Sequence, residues 1–339
     1  MKRILVTGGA GFIGSAFVHY MLATHPDYEI VNLDALTYAG NLDNLRGLEQ
    51  RYSFVHGDIC DAGAIDAAMA GCDAVVNFAA ETHVDRSLQD AGAFIQTDVY
   101  GVFALLEGAR RHGIERFLHI STDEVYGPRT SDNPSHEHEA LTPANPYAAS
   151  KAGGELVATS YWRTYGLPVL ITRARNNIGP RQHIEKAVPL FITNALEDKP
   201  LPVYGEGLQI RDRMYVEDHC EAIDLVLHKG TPGEAYNVGA DNERANIEVA
   251  ETVLRLLGKP RSLIRFVEDR PGHDVQYAMD TSKLRALGWA PRHDFEAAMQ
   301  KTVAWYVENR WWWQKVKQGD FAAYYEKQYG EKLARSRGA

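Results

Sequence analysis

Two short segments of the chain contain side chains that could move protons. Thr122, Asp123 and Glu124 are consecutive, and Tyr147 precedes Lys151 by four residues. Four residues are about one helical turn, so the ammonium can share a face with the phenol, lower its pKa of about 10 and aid removal of a proton from a hydroxyl group. The two carboxylates add an acid and a base, provided that their surroundings drive their pKa values apart.

A glycine-rich segment near the start of the chain predicts a dinucleotide site. Gly8, Gly11 and Gly14 follow the apolar run 4–6 and open a helix-forming segment. Glycines in this context permit a tight turn and let the N–H groups of a helix N-terminus face a pyrophosphate. Asp34 lies twenty residues beyond Gly14, where a carboxylate can bind a ribose diol and would repel a 2′-phosphate. The sequence therefore favours NAD over NADP.

Alternating strands and helices must position these residues. Short apolar runs recur with helix-length amphipathic segments between them, at residues 4–6, 30–33, 54–56, 74–78, 117–120 and 169–172. Runs without polar alternation suit strands buried on both faces, which predicts an α/β fold with a Rossmann-type, doubly wound parallel sheet. From about Arg175, prolines and glycines interrupt shorter elements. We expect a NAD-binding domain over residues 1–175, to which some later segments return, and a smaller lobe with C-terminal helices over residues 176–339.

The end of the chain is rich in aromatic side chains. Residues 295–310 predict a helix, and aromatic residues follow it at Trp311, Trp312, Trp313, Phe321, Tyr324 and Tyr325. Aromatic clusters usually lie in a core or an interface, so we expect this cluster to pack against the body of the protein.

Composition excludes several classes of protein. The 339 residues are 45% hydrophobic and 24% charged, which is typical of globular chains and unlike disordered or coiled-coil ones. The net charge of −9 gives no basic surface for nucleic acid or anionic lipid, and no apolar run approaches the roughly 20 residues of a membrane span. Cys60, Cys72 and Cys220 are far apart and form no CxxC pair, so we expect no disulfide framework, no bound metal and a location in the reducing cytoplasm.

Further motifs resemble those of one known family. They lie at residues 36–42, 83–87, 122–127, 176–177, 185–186, 211–212 and 269–273. With them the chain resembles, over nearly its whole length, the NAD-dependent nucleotide-sugar 4,6-dehydratases of the extended short-chain dehydrogenase/reductase superfamily, most closely those acting on dTDP-glucose. The resemblance implies a hydro-lyase that oxidises C4 of the glucose unit, eliminates water across C5 and C6, and returns hydride to C6 with NAD unchanged overall.

The resemblance also implies a role for each catalytic candidate. Tyr147 would take the proton of the C4 hydroxyl, Thr122 would hydrogen-bond the same oxygen, and Lys151 would orient the nicotinamide ribose. Glu124, as a carboxylate, would remove the C5 proton. Asp123, in its acid form, would protonate the departing C6 hydroxyl.

Binding residues follow from the same resemblance. The expected NAD contacts are Gly8, Gly11, Phe12, Ile13, Gly14, Asp34, Ala35, Leu36, Thr37, Asp58, Ile59, Phe78, Ala79, Ala80, Thr97, Ser121, Tyr147, Lys151 and Asn177. The expected contacts of the nucleoside-diphosphate hexose are Thr82, Thr122, Asn176, Lys186, Ala187, Pro202, Val203, Tyr204, Arg211, Asn246, Asp269, Arg270 and His273. Arg211 and Lys186 have the chemistry for phosphates. The resemblance further implies a homodimer formed through helices of the cofactor domain.

Several alternatives stay open at this stage. Where the family has Tyr-Gly-Pro-Tyr after the paired asparagines, this chain has residues 178–183, Ile-Gly-Pro-Arg-Gln-His, and the segment between Gly127 and Tyr147 is shorter than in many such enzymes. The nucleotide could therefore be thymidine or uridine, and a UDP-glucose 4,6-dehydratase is one rival. A UDP-sugar 4-epimerase would not need Asp123 and Glu124. A non-catalytic NAD-dependent protein on the same fold would not need the Tyr-Lys pair.

His83, His183 and His273 could be mistaken for catalytic residues, and residues 136–139 are expected to form a charged loop rather than a metal site.

Overall fold

The computed structural model describes residues 1–269, 274–318 and 320–338. The strands are β1 (Arg3–Thr7), β2 (Glu29–Asp34), β3 (Tyr52–His56), β4 (Ala74–Asn77), β5 (Arg116–Thr122), β6 (Val169–Ala174), β7 (Asn177–Ile178), β8 (Leu201–Tyr204), β9 (Ile210–Arg211), β10 (Met214–Tyr215), β11 (Ala235–Val238), β12 (Arg244–Ala245), β13 (Ile264–Val267) and β14 (Arg337–Gly338).

The α-helices are α1 (Phe12–Thr24), α2 (Ala62–Met69), α3 (Val84–Ser87), α4 (Ala91–Ile95), α5 (Val102–His112), α6 (Pro146–Tyr165), α7 (Ala187–Leu196), α8 (Val216–Lys229), α9 (Asn246–Leu257), α10 (Ser282–Ala286), α11 (Phe295–Glu308), α12 (Arg310–Lys317) and α13 (Asp320–Ala334). Short 3-10 helices cover Leu42–Leu45, Asp123–Tyr126 and Arg261–Leu263, and a π-helix covers Gln96–Gly101. Among the described residues, no helix is both long and apolar enough to cross a membrane.

The chain forms two compact units, each built from three segments. Unit 1 contains Met1–Arg175, Glu217–Gly239 and Tyr277–Ala290. Unit 2, which is smaller, contains Asn176–Val216, Ala240–Gln276 and Pro291–Ala339.

Unit 1 is built around one parallel sheet. Its seven strands lie in the order β11-β6-β5-β4-β1-β2-β3, and each adjacent pair is parallel. Ile4, Leu5 and Val6 on the interior strand β1 are fully buried, as expected for a strand covered on both faces. The α/β fold of the Rossmann type that the apolar runs predict is confirmed. The carboxyl ends of these strands share one edge, where such folds bind ligands.

Unit 2 has small sheets around an aromatic and aliphatic core. The sheets pair β7 with β10 and β9 with β12, and in a third sheet β13 lies between β8 and β14. Trp312 and Trp313 are buried in this core, as predicted, whereas Trp311 is exposed. The helix predicted over residues 295–310 ends earlier, at Glu308, because Asn309 leaves the helical conformation and its side chain donates to the carbonyl oxygen of Trp305.

Candidate active site

Two glycines in the segment that leads from β1 into α1 leave no room for a side chain. Gly8 has a φ of +69°, and a Cβ atom there would lie 2.7 Å from the backbone nitrogen of Ala79. A Cβ atom on Gly14 would lie 2.3 Å from the carbonyl oxygen of Gly8. The N-cap residue of α1 is Gly11, so no side chain caps this helix. Such a helix N-terminus has backbone N–H groups that suit a phosphate.

Asp34 connects this turn to the end of β2. Its Oδ2 accepts a hydrogen bond from the backbone N–H of Ala10 (2.8 Å), and its Oδ1 accepts one from Leu36 (2.8 Å). Burial raises the pKa of the Asp34 carboxyl, while both backbone N–H groups act in the opposite direction. Leu36 has a φ of +50°, a conformation that the Asp34 hydrogen bond helps to hold. The carboxylate that the sequence assigns to a ribose therefore lies beside the glycine turn.

The other cofactor candidates of unit 1 follow the carboxyl ends of its strands. Phe12 and Ile13 begin α1, and Ala35, Leu36 and Thr37 follow β2; Asp58 and Ile59 follow β3; Phe78, Ala79 and Ala80 follow β4; Thr97 is in the π-helix; Ser121 is on β5. Asn177 differs from the rest because it belongs to unit 2, on β7. Thr82, a substrate candidate in unit 1, is exposed, and its hydroxyl lies 3.4 Å from that of Tyr38.

Helix α6 carries the Tyr-Lys pair. Asn145 caps the helix by accepting the N–H of Ala148 (2.8 Å), and Pro146, whose φ suits a first helical position, follows it. Tyr147 and Lys151 are one turn apart, as the spacing predicts. The Lys151 ammonium is buried and donates to the carbonyl oxygen of Ile120 on β5 (2.7 Å). The sheet thus fixes the end of the lysine side chain.

The Tyr147 hydroxyl is less acidic in this structure than the sequence predicts. Burial raises its pKa well above the usual value, and the charges of Glu124 and Asp98 raise it further. A hydrogen bond with Thr122 acts in the opposite direction. Burial also lowers the pKa of Lys151. The pKa of the phenol is therefore set chiefly by its burial and by nearby carboxylates.

Thr122, Asp123 and Glu124 lie where β5 passes into a 3-10 turn. The Thr122 hydroxyl accepts the N–H of Glu124 (3.3 Å) and donates to Asp123 Oδ1 (3.0 Å). Asp123 is buried, whereas Glu124 is half-buried and accepts a hydrogen bond from the Asn145 side-chain amide (3.2 Å). The two adjacent carboxyl groups therefore have different surroundings, as an acid-base pair requires.

The sequence did not single out Asp98, whose charge acts on the Tyr-Lys pair. It lies in the π-helix, is buried, and accepts hydrogen bonds from the Ser150 hydroxyl (2.6 Å) and the backbone N–H of Glu81 (2.9 Å). Burial raises the pKa of Asp98 to about 6, although the nearby Lys151 ammonium opposes that rise. Its position next to Thr97 and the position of Ser150 next to Lys151 were the only available signals, because a π-helix leaves no clear sequence pattern.

The histidines named above lie in three different places. His83 is buried in unit 1, with its Nδ1 atom 4.0 Å from a carboxylate oxygen of Asp85. His183 is in unit 2, with its Nδ1 atom 3.9 Å from Glu185. His273 lies outside the described residues. Residues 136–139 form a loop in which Glu139 accepts the backbone N–H of His136 (3.1 Å).

The remaining substrate candidates belong to unit 2. Asn176 precedes β7, Lys186 precedes α7 and Ala187 begins it, Pro202, Val203 and Tyr204 are on β8, Arg211 ends β9, Asn246 begins α9, and Asp269 follows β13. The Arg211 guanidinium donates to the carbonyl oxygens of Ile210, Asp274 and Val275. Asp269 accepts from the Gln209 side-chain amide (2.8 Å). Arg270, like His273, is outside the described residues.

Comparison with known proteins places the chain in a family. A family model described as GDP-mannose 4,6 dehydratase matches residues 5–302. The dTDP-glucose 4,6-dehydratase of Neisseria meningitidis serogroup B is 49% identical over 95% of this chain and 98% of that protein. The enzyme of that name from Escherichia coli is 47% identical over 94% of this chain and 98% of that protein.

Solved structures agree with these relatives. The dTDP-glucose 4,6-dehydratase of Streptomyces venezuelae, solved with NAD bound, has a TM-score of 0.90 and 49% identity, and the match covers 93% of this chain and 100% of that one. The UDP-glucose 4-epimerase of Thermus thermophilus, also solved with NAD, has a TM-score of 0.84 and 31% identity, covering 91% and 99%. From the family match and the near-complete coverage of its relatives, this chain belongs to the nucleotide-sugar 4,6-dehydratases of the extended short-chain dehydrogenase/reductase superfamily.

Proposed function

We propose that this chain dehydrates dTDP-glucose to the 4-keto-6-deoxy sugar nucleotide with the help of bound NAD. The observation that carries this proposal is the grouping of Tyr147, Thr122, Asp123 and Glu124 in unit 1, where hydrogen bonds link the carboxylate turn to the Tyr-Lys helix through Asn145. The grouping supplies one base for a hydroxyl group and two carboxyl groups for an elimination.

The residues of unit 1 fit NAD. The turn at Gly8 and Gly14 leaves no room for a Cβ atom, the N-terminus of α1 has no side-chain cap, and Asp34 lies beside both. Asn177 of unit 2 is a further proposed contact. When bound, NAD supplies the chemistry of accepting a hydride and giving it back, so the overall reaction is redox-neutral.

In the first step, Tyr147 removes the proton of the C4 hydroxyl. Thr122, which hydrogen-bonds Tyr147, holds the same oxygen, and Lys151 stabilises the phenolate and orients the nicotinamide ribose. The raised pKa of the tyrosine makes it a weak acid before substrate binds. Tyr147 can accept the C4 hydroxyl proton only as the phenolate, so its own proton must first pass to solvent, and the Lys151 ammonium favours that ionised form.

In the second step, the C4 ketone acidifies the C5–H bond. The half-buried Glu124 takes the C5 proton as a carboxylate, and its Asn145 partner fixes one of its oxygens. Asp123 gives a proton to the C6 hydroxyl, which leaves as water. This role requires the neutral acid form of Asp123, which is buried beside Glu124.

Unit 2 is proposed to bind the nucleoside diphosphate. Arg211, Lys186 and Asn246 suit the phosphates, and Tyr204 with its neighbours on β8 suits the remainder of the nucleotide. Identity of 47–49% to the dTDP-glucose dehydratases, against 31% to the epimerase, supports thymidine as the base and dehydration as the reaction.

We also propose a cytoplasmic homodimer formed through α5 and α6. Tyr100 and Phe103 near the start of α5, and Leu156 on α6, are exposed apolar side chains. An exposed apolar patch of this kind is a common subunit interface. The three dispersed cysteines are consistent with a reducing compartment.

The test is to incubate the purified protein with dTDP-glucose and, separately, with UDP-glucose, and to follow the mass of the sugar nucleotide. We expect loss of one water from dTDP-glucose without added NAD, and release of NAD when the protein is denatured. Faster loss from UDP-glucose would overturn the choice of nucleotide. Interconversion of glucose and galactose forms without loss of water, with NAD supplied, would favour the epimerase.

A further inference from the structure

Arg213 is a buried arginine of unit 2 that the sequence analysis did not single out. It lies between β9 and β10, two residues after Arg211, and its side chain is 6% exposed. One guanidinium nitrogen, Nη2, donates to Oδ1 of Asn246 (2.5 Å). Its Nε atom is buried and makes no hydrogen bond with any of residues 1–269, 274–318 or 320–338.

The charged groups that act on Arg213 are its chain neighbours Arg211 and Asp212. Burial and, to a smaller extent, the charge of the neighbouring Arg211 together lower the pKa of the Arg213 guanidinium to about 10, and Asp212 opposes the change. The Asp212 carboxylate accepts backbone N–H groups from Arg213 (2.8 Å), Ala240 (2.7 Å) and Asn242 (2.9 Å). The carboxylate next to Arg213 in the chain therefore already accepts three backbone N–H groups. A buried cation in such surroundings is stabilised by an added anion.

The residue that Arg213 contacts begins a helix. Asn246 is the first residue of α9, and its cap residue Ala245 offers no side-chain acceptor. The first turn of a twelve-residue helix carries a partial positive charge, although the backbone N–H groups of Asn246 and Ile247 already donate to the carbonyl oxygens of Gln209 (3.1 Å) and Gly207 (3.0 Å). Because Arg213 occupies the amide oxygen of Asn246, the NH2 group of the same amide is left as a donor. Arg213 thus offers its own Nε–H as a donor and fixes the orientation of a second donor, the NH2 group of Asn246.

We propose that Arg213 is a diphosphate-binding residue, which contacts the substrate's phosphate oxygens through Nε and positions the Asn246 amide to donate to them. This inference rests on the proposed function for the identity of the nucleotide. It adds a residue to the expected contacts Arg211 and Asn246, and it requires only that the ligand be a nucleoside diphosphate.

The experiment is a calorimetric titration of the full-length protein with dTDP and, separately, with thymidine, which lacks the diphosphate. The variants are Arg213→Met, which keeps a long side chain but removes its charge, and Arg213→Lys, which keeps the charge but removes the planar guanidinium group with its several N–H donors. The control is Arg255→Met, which removes an exposed arginine from the same helix α9 where Arg255 pairs with Glu296 (2.7 Å).

We expect Arg213→Met to weaken dTDP binding about tenfold or more and thymidine binding by less than about twofold, with Arg213→Lys between it and the wild type. Arg255→Met should bind dTDP as the wild type does. The effect of Arg213→Met should be smaller in an Asn246→Ala background, since part of it acts through that amide. Unchanged dTDP affinity in Arg213→Met would overturn the inference, as would equal losses for dTDP and thymidine. Because binding is read without turnover, failure of the dehydration assay would leave this result interpretable.

Discussion

Glu124 and Asp123 are neighbours in the chain with separate proposed tasks, and substitution can separate them. Glu124→Gln keeps the size of the side chain and removes its ability to accept a proton. We expect it to spare substrate binding and the first oxidation, and to slow turnover by about 10²–10⁴-fold. In deuterated water, exchange of the C5 hydrogen should stop, as followed by mass spectrometry.

The control for that experiment is Glu115→Gln, which makes the same chemical change at an exposed site of unit 1. It should exchange C5–H at the wild-type rate. Undiminished exchange in Glu124→Gln would remove Glu124 from the role of base.

Asp98 allows a prediction about stability and pH. Its pKa of about 6 lies above the value near 4 of an unfolded chain, so the folded protein holds this proton more tightly. The stabilisation from that proton is fully present below about pH 4 and is lost as the pH rises through 6. Asp98→Asn, which stays neutral, should match the wild type near pH 4 and exceed its free energy of unfolding by on the order of 1–3 kcal/mol near pH 7.5.

Urea unfolding at both pH values measures this difference. Asp132→Asn, at an exposed position, should show no such pH dependence. A difference between Asp98→Asn and the wild type that is the same at both pH values would contradict the assigned pKa.

Residue types and spacing were sufficient to predict the Tyr147 and Lys151 pair, the carboxylates and the glycine turn. They could not predict Asp98 or Arg213. A buried acid or arginine looks like a surface residue in a sequence, and its surroundings come from elements that are distant in the chain. The raised pKa of Tyr147 has the same origin, because desolvation depends on packing and not on the spacing to Lys151.

At the scale of elements, Asn145 joins two functions at one helix end. Its Oδ1 caps α6, and its Nδ2 donates to Glu124. Asn145→Asp keeps an acceptor for the cap and replaces the donor by a negative charge. We expect an unchanged Tm, together with a shift of the acidic limb of the kcat profile to higher pH, because the new carboxylate repels that of Glu124.

Asn145→Ala is the matched comparison, since it removes both the cap and the donor. It should lower the free energy of unfolding by about 1 kcal/mol. An Asn145→Asp variant with a wild-type pH profile would show that the amide contact does not affect the base.

Strands and helices differed in how well the sequence predicted them. Each of the six apolar runs coincides with a strand, and burial on both faces explains the unbroken apolar residues of the interior strands but not those of the edge strand β3, whose residues are partly exposed. The break between α11 and α12 was not predicted, since it depends on the conformation of the single residue Asn309. The π-helix also escaped prediction. Its close packing against α6 requires Gly154, whose Cβ would lie 2.2 Å from the Asp98 carbonyl oxygen.

At the scale of the whole molecule, the proposed dimer can be tested directly. Leu156→Glu places a charge on an α6 position that is 61% exposed in the single chain. We expect this variant to sediment as a monomer at concentrations where the wild type is a dimer. Val307→Glu, at an exposed apolar position of α11 in unit 2, should leave the assembly unchanged. A monomeric wild type would refute the proposal, and so would a dimeric Leu156→Glu variant.

The division of unit 1 into three chain segments has a consequence for how the protein is made. The edge strand β11 pairs with β6. In the chain, however, the first long segment of unit 2 separates β11 from β6. During synthesis, β6 therefore leaves the ribosome well before its partner strand, with its backbone N–H and C=O groups open to other chains. One edge of β6 therefore stays unpaired between the emergence of Ala174 and that of Val238, which exposes the nascent chain to aggregation.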